Sequence, residues 1–258
     1  WPCWFGLAYS QKNFFDLIFL YLLFFFGSFL MRSAGCIIND LVDIKIDRKI
    51  TRTSTRPLTS NKISILSALI FLFILSLLSF IVLIQFSLLS VVIGLACVPF
   101  IIIYPFMKRI TYWPQLFLGL TFSWGVLISS VELFGEIKLD YFFLYIACIF
   151  WTLGYDTIYA YQDIQDDLNN NIKSSAVLLA EKGKLFVKMS YFCMLFIIGF
   201  LSWKSSESLI SLSVIIAILI GINVFINRWK SNSAQSSNYY FRQNNLFGFI
   251  IFLYLLFF

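Results

Sequence analysis

The sequence predicts an all-α protein: a polytopic integral membrane bundle of nine transmembrane helices, the first of them truncated. Three observations carry this. The 258 residues are 60% hydrophobic and 12% charged, against about 25% charged in a soluble domain. Apolar runs of roughly 18 or more residues, the length of a membrane-spanning helix, recur along the whole chain. Counted loop by loop, 15 of the 19 Lys and Arg residues fall on one face, Lys12, Lys138 and Lys204 fall on the other, and Arg32 lies within a span. The positive-inside rule makes the basic face cytoplasmic, or its equivalent in an organelle.

The elements follow in order. Residues 1–10, WPCWFGLAYS, read as the end of a helix whose start lies upstream of Trp1, so a truncated N-terminus is expected. No basic n-region marks a signal peptide. Residues 14–41 form the first complete span and contain Arg32 in LMRSAGC. An intramembrane Arg needs a partner or a polar cavity, and Asp156 is the candidate partner. Spans 62–84 and 86–106 are separated by a turn at Gln85. Span 112–134 follows YPFMKRITYWP, and span 139–162 ends at an acidic group. Spans 183–203 and 207–227 are joined by a short turn, and 243–258 is the last. Loops 42–61, 163–182 and 228–242 are the long ones and share the basic face, which is where function is expected. No loop can hold a soluble domain, so residues 1–258 are expected to be one transmembrane domain.

Histidine is absent, which excludes Ser-His-Asp and Cys-His catalysis, HExxH zinc sites and His-ligated haem. The five cysteines form no CxxC pair and read as small buried hydrophobes. The net charge of +6 follows topology rather than a nucleic-acid surface, so the partner is the lipid bilayer. Chemistry must come from carboxylates, Lys, Arg, Tyr and hydroxyls.

Carboxylates at a membrane boundary are costly to hold without a partner. Asn39, Asp43 and Asp47 stand at i, i+4 and i+8 in NDLVDIKID, on one face of a helix. Asp163 and Asp167 repeat the i, i+4 spacing, and Asp156 is expected on their face seven residues earlier. Such hard oxygen sets suit Mg2+, which binds through a few carboxylates, waters and substrate phosphates. Taken singly, each set could be a solvated helix end; two on one face argue for a shared metal and a polyanion. Arg52, Arg56, Lys108, Arg109 and Lys173 lie close by in sequence and are natural donors to phosphate oxygens. Tyr155, Tyr159 and Tyr161 flank the second set, where an aromatic face can stabilise a carbocation. A cation-coupled transporter is the rival from another class, but it would place its ionisable groups near midplane on broken helices.

The stretch GCIINDLVDIKIDRKITRTSTRPL resembles the first Asp-rich motif of the UbiA superfamily of intramembrane prenyltransferases. YDTIYAYQDIQDDLNNNIKSSA resembles that family's second motif, and YPFMKRITYWPQLFLGLTFSWG is similar to the subgroup that prenylates 4-hydroxybenzoate in ubiquinone synthesis. The resemblance covers essentially the whole chain. It implies a bundle around a central cavity and a Mg2+-dependent aromatic prenyltransferase. Asn39, Asp43, Asp47, Asp163 and Asp167 would hold Mg2+, with the four aspartates catalytic. Asn39, Arg52, Arg56, Lys108 and Lys173 would bind a polyprenyl diphosphate, and Arg109 would receive the carboxylate of 4-hydroxybenzoate. Asp156 and Tyr159 complete the candidate substrate-binding set. Tyr161 departs from the Met or His frequent at its position in the family. The related acceptors are a naphthoate, homogentisate or haem. No obligate protein partner is expected. Abundant Ile, Asn, Lys and Phe suggest an AT-rich genome. A bacterial inner membrane, with the active site toward the cytoplasm, is the expected location; the matrix side of a mitochondrial inner membrane is the alternative.

Overall fold

The computed structural model describes residues 1–50 and 52–258. It is built from α1 (Pro2–Tyr9), α2 (Ile18–Asp47), α3 (Ile65–Leu83), α4 (Leu88–Ala96), α5 (Val98–Ile103), α6 (Met107–Ile110), α7 (Pro114–Phe122) and α8 (Gly125–Phe134). The second half holds α9 (Leu139–Ala160), α10 (Ile164–Asn169), α11 (Ser175–Leu179), α12 (Gly183–Ser206), α13 (Leu209–Arg228) and α14 (Ala234–Phe257). Seven described segments are long and apolar enough to cross a membrane: 18–47, 65–83, 88–110, 114–134, 139–160, 175–206 and 209–228. The expected nine spans would add α1, which has 8 residues, and α14, which opens with the polar stretch AQSSNYYFRQNN.

α9 is the hub. It packs along α12 and α7 and also touches α14, α8, α11 and α1. Leu144, Ala147, Cys148, Trp151 and Ile158 are buried along it, as expected of a helix that is apolar on every side. Close approach to α12 requires a small residue: a Cβ at Gly154 would lie 2.8 Å from a ring carbon of Tyr191. Gly6 of α1 meets Ser129 of α8 in the same way. Small residues at crossings let transmembrane helices pack through van der Waals contact. The outer helices turn large apolar side chains outward, among them Phe71 and Phe73 on α3, Phe196 and Phe200 on α12, and Ile216 and Ile220 on α13. An apolar shell of this extent is a lipid-facing surface. The protein is a multi-pass membrane protein.

Local chemistry sets the ends and breaks. The side chains of Ser64, Ser87, Ser174, Ser208 and Ser233 accept backbone N–H groups at the starts of α3, α4, α11, α13 and α14, the preferred capping arrangement. Pro99 opens α5, and Pro105 sits in a 3-10 turn at Tyr104–Phe106, because proline supplies no N–H to a continuing helix.

Three boundaries differ from the sequence reading. α2 does not end near residue 41 but runs to Asp47, keeping the Asn39, Asp43, Asp47 stripe on one helix. α14 begins at Ala234 rather than 243, since the Ser233 cap starts it through polar residues. Asp156, Asp163 and Asp167 do not share one helical face: α9 stops at Ala160, and Asp163 stands just before the separate α10.

Candidate active site

The C-terminal turns of α2 deliver the first acidic set. Asp43 is fully buried, and its carboxylate pairs with the Lys108 ammonium; Arg109 Nη2 lies 3.5 Å from Asp43 Oδ1. Apart from Lys108, neither Asp43 oxygen accepts a hydrogen bond of regular geometry, so this carboxylate depends on its two cationic neighbours. A buried charge without a counter-ion is strongly unfavourable. One turn on, Asp47 Oδ2 accepts from Arg56 Nη1 at 2.9 Å, and the same nitrogen reaches Asp40 Oδ1 at 2.8 Å. Thr53 Oγ1 donates to the Asp47 carbonyl at 3.1 Å and folds the loop back over the stripe.

The two acidic motifs meet directly. Arg52, from the loop after α2, donates from Nε and Nη2 to the two carboxylate oxygens of Asp163, at 2.8 and 2.5 Å. Its guanidinium lies 5.2 Å from the centre of the Tyr159 ring. This pairing holds Arg52 firmly protonated. On α10, burial pushes the Asp167 carboxyl up to about 6, partly offset by a hydrogen bond from Ser174. The segment after α10 is stitched to α6: the Lys173 N–H donates to the Lys108 carbonyl at 3.0 Å, and Lys173 Nζ donates to the Ile110 carbonyl at 2.9 Å.

These groups surround one cavity of about 160 Å³. Of the residues singled out from the sequence, Asn39, Asp47, Arg52, Arg56, Lys108, Asp156, Tyr159, Asp163, Asp167 and Lys173 line it. Asp43 stands behind Lys108, off the cavity wall. Arg109 is also off the wall; it donates to the Val42 carbonyl at 2.7 Å and packs on Phe106. Arg32 lies over the Phe122 ring at 5.3 Å. Among the described residues it closes no ion pair with Asp156. Of the three tyrosines, Tyr159 alone faces the cavity; Tyr155 packs on Trp151 and Phe241. Tyr161 donates to the Ala180 carbonyl and packs on Trp229 as a structural latch.

Sequence reasoning missed Tyr104, Gln115 and Ser174 on the cavity wall and Asp40 as the second acceptor for Arg56. Tyr104 is the first residue of the YPFMKR segment that did attract notice, and Gln115 follows it by six residues, but uncharged residues gave no signal of their own.

Among the described residues, no three acidic side chains gather closely enough to enclose an ion. The donor set still fits Mg2+: it is all hard oxygen, and Asp43 keeps two buried oxygens that, apart from Lys108, have no regular hydrogen bonds. Mg2+ typically takes one or two carboxylates and completes its octahedron with waters and substrate phosphates. Each cavity cation, in turn, is parked on a carboxylate or a carbonyl, a partner it can exchange for phosphate oxygens.

Known proteins resemble the chain throughout its length. It is 36% identical over 257 residues to the 4-hydroxybenzoate octaprenyltransferase of Blochmanniella pennsylvanica (strain BPEN), covering 98% of this chain and 87% of that one. It is 41% identical over 212 residues to the mitochondrial 4-hydroxybenzoate polyprenyltransferase of Drosophila pseudoobscura pseudoobscura, covering 81% of this chain and 53% of the relative. The structure of a UbiA homolog from Archaeoglobus fulgidus bound to GPP and Mg2+ shares the fold, with a TM-score of 0.71, 15% identity, and coverage of 98% of this chain and 92% of that one. The family model for the UbiA prenyltransferase family matches residues 1–253, and the chain belongs to that family.

Proposed function

We propose that the protein transfers a polyprenyl group from a polyprenyl diphosphate to 4-hydroxybenzoate. The new bond forms at the ring carbon ortho to the hydroxyl, diphosphate is released, and the product serves ubiquinone biosynthesis. One observation supports this most: residues of both acidic motifs line a single cavity together with Arg52, Arg56, Lys108 and Lys173. The names of the bacterial and mitochondrial relatives support the acceptor.

Asn39, Asp43, Asp47, Asp163 and Asp167 would hold Mg2+, which when bound neutralises charge on the leaving diphosphate. Arg52, Arg56, Lys108 and Lys173 leave their present partners and donate to diphosphate oxygens, which offer several charged acceptors in one group. The allylic C–O bond then ionises to a delocalised cation. Tyr104 and Tyr159 present aromatic faces to that cation. The ring, electron-rich through its hydroxyl, attacks by the ortho carbon, and the ring proton passes to the released diphosphate, which restores aromaticity. The bundle keeps water from the cation until the ring has reacted. Residues 1–258 act as one transmembrane domain in a bacterial inner membrane, with the cavity toward the cytoplasm.

The test is purified protein in lipid with 4-hydroxybenzoate and a polyprenyl diphosphate, with Mg2+ or with a chelator. The expected result is Mg2+-dependent product carrying the prenyl group ortho to the hydroxyl, with one diphosphate released per transfer. Preferential prenylation of a naphthoate or homogentisate would reassign the acceptor.

A further inference from the structure

Gln115 is an uncharged polar residue of the cavity that, like Thr53 and Ser174, the mechanism above does not use. It occupies the first turn of α7, which Pro114 begins. Its side chain is 3% exposed, and Oε1 is enclosed without a hydrogen-bond partner. It nevertheless lines the cavity, beside Tyr104, Lys108, Asp156 and Tyr159. A buried amide oxygen left unpaired is unfavourable, and such an orphan in a substrate cavity signals a missing partner. An amide oxygen can only accept, so that partner must bring an O–H or N–H.

A prenyl diphosphate offers neither at neutral pH: its tail is hydrocarbon and its head is an acceptor. The proposed acceptor substrate has one donor, the phenolic hydroxyl. That hydroxyl is adjacent to the reacting carbon, so it must sit near the diphosphate, where Lys108 is. A hydrogen bond from the hydroxyl to Gln115 would fix the ring's rotation and raise electron density at the ortho position. We propose, on the basis of the acceptor reading above, that Gln115 Oε1 accepts the acceptor's phenolic O–H and so selects hydroxylated aromatic acids. A site built around such a bond rejects the analogue that lacks it.

The experiment compares wild type, Gln115→Leu and Gln115→Glu in lipid, reading KM for 4-hydroxybenzoate, KM for the prenyl donor, and equilibrium binding of 4-hydroxybenzoate against benzoate. Leucine fills the volume without an acceptor; glutamate keeps an acceptor and adds charge. Wild type should bind 4-hydroxybenzoate better than benzoate by about tenfold or more, the worth of one buried hydrogen bond. Gln115→Leu should erase that preference and raise KM for 4-hydroxybenzoate about tenfold to a hundredfold, with donor KM within about twofold. Gln115→Glu should retain the preference for the hydroxylated ligand. Loss of 4-hydroxybenzoate binding in Gln115→Glu would place the residue at the carboxylate end and overturn the proposal. Unchanged discrimination in Gln115→Leu, or an equal rise in both KM values, would overturn it as well. Wild type that neither prenylates nor binds 4-hydroxybenzoate would instead defeat the acceptor reading on which the proposal rests.

Discussion

Arg52 and Asp163 are 111 positions apart in sequence, yet the guanidinium forks onto the carboxylate at 2.8 and 2.5 Å. The pair ties the loop behind the first acidic motif to the start of the second. Arg52 is partly exposed, so the pair adds little stability, about 0–1 kcal/mol for such a site. In the proposed function it would hold a phosphate-binding cation ready. Arg52→Ala should therefore leave the melting temperature within a few degrees of wild type. It should raise KM for the prenyl diphosphate about tenfold to a hundredfold, from loss of a charged hydrogen bond worth about 1.5–3 kcal/mol. Steady-state kinetics beside a thermal melt in detergent checks both.

Asp43 and Lys108 should behave oppositely. Asp43 is fully buried, and Lys108 is its nearest counter-ion. Removing one partner leaves an unpaired charge, a loss of about 3–5 kcal/mol in a buried pair; Arg109 at 3.5 Å should bring Lys108→Met to the lower end. The double variant Asp43→Asn, Lys108→Met should be more stable than Lys108→Met alone. A denaturation series on the four proteins measures the coupling, and strict additivity would count against the pair.

Asp167 gives the pH dependence. Burial raises its folded value from 3.8 to about 6. A raised carboxyl favours the folded protein fully below its unfolded value, and that contribution fades as pH rises through about 6. Binding a cation needs the ionised form, so apparent Mg2+ affinity should weaken as pH falls below about 6. In Asp167→Asn this part of the pH dependence should vanish. Mg2+ titration by calorimetry across that range, with and without the substitution, is the check.

Gly154 tests the hub. A Cβ there would lie 2.8 Å from Tyr191, whose ring is backed by Phe247 and whose hydroxyl donates to Asn244. The ring cannot give way freely, so Gly154→Ala should destabilise by about 1–3 kcal/mol, as overpacking does. The thermal melt should fall while KM values in surviving protein stay near wild type.

Much of this was legible in the sequence. The apolar runs fixed most spans, since a helix hydrophobic on all sides has few other destinations. The i, i+4, i+8 stripe placed Asn39, Asp43 and Asp47 on one face because α2 continues to Asp47. The second set was harder. Asp156 lies on α9 and Asp163 just before α10, and their meeting at the cavity depends on a turn after Ala160 that spacing does not reveal. Arg109 carried the family's expected role, yet the Val42 carbonyl and Phe106 hold it off the wall. Lys108 and Arg109 both reach Asp43, but only Lys108 lines the cavity. Gln115 was invisible because what marks it is a missing partner, a property of the folded protein.

The central claim is that the two acidic motifs act as one diphosphate–Mg2+ site. It is tested most directly by equilibrium binding of a non-hydrolysable prenyl diphosphate analogue, with and without Mg2+, to wild type, Asp47→Ala, Asp167→Ala and the double variant. One shared site predicts that Mg2+ tightens binding in wild type, that either single substitution abolishes the tightening, and that the double variant is no worse than the singles. Losses that simply add, or binding indifferent to Mg2+ in wild type, would contradict it.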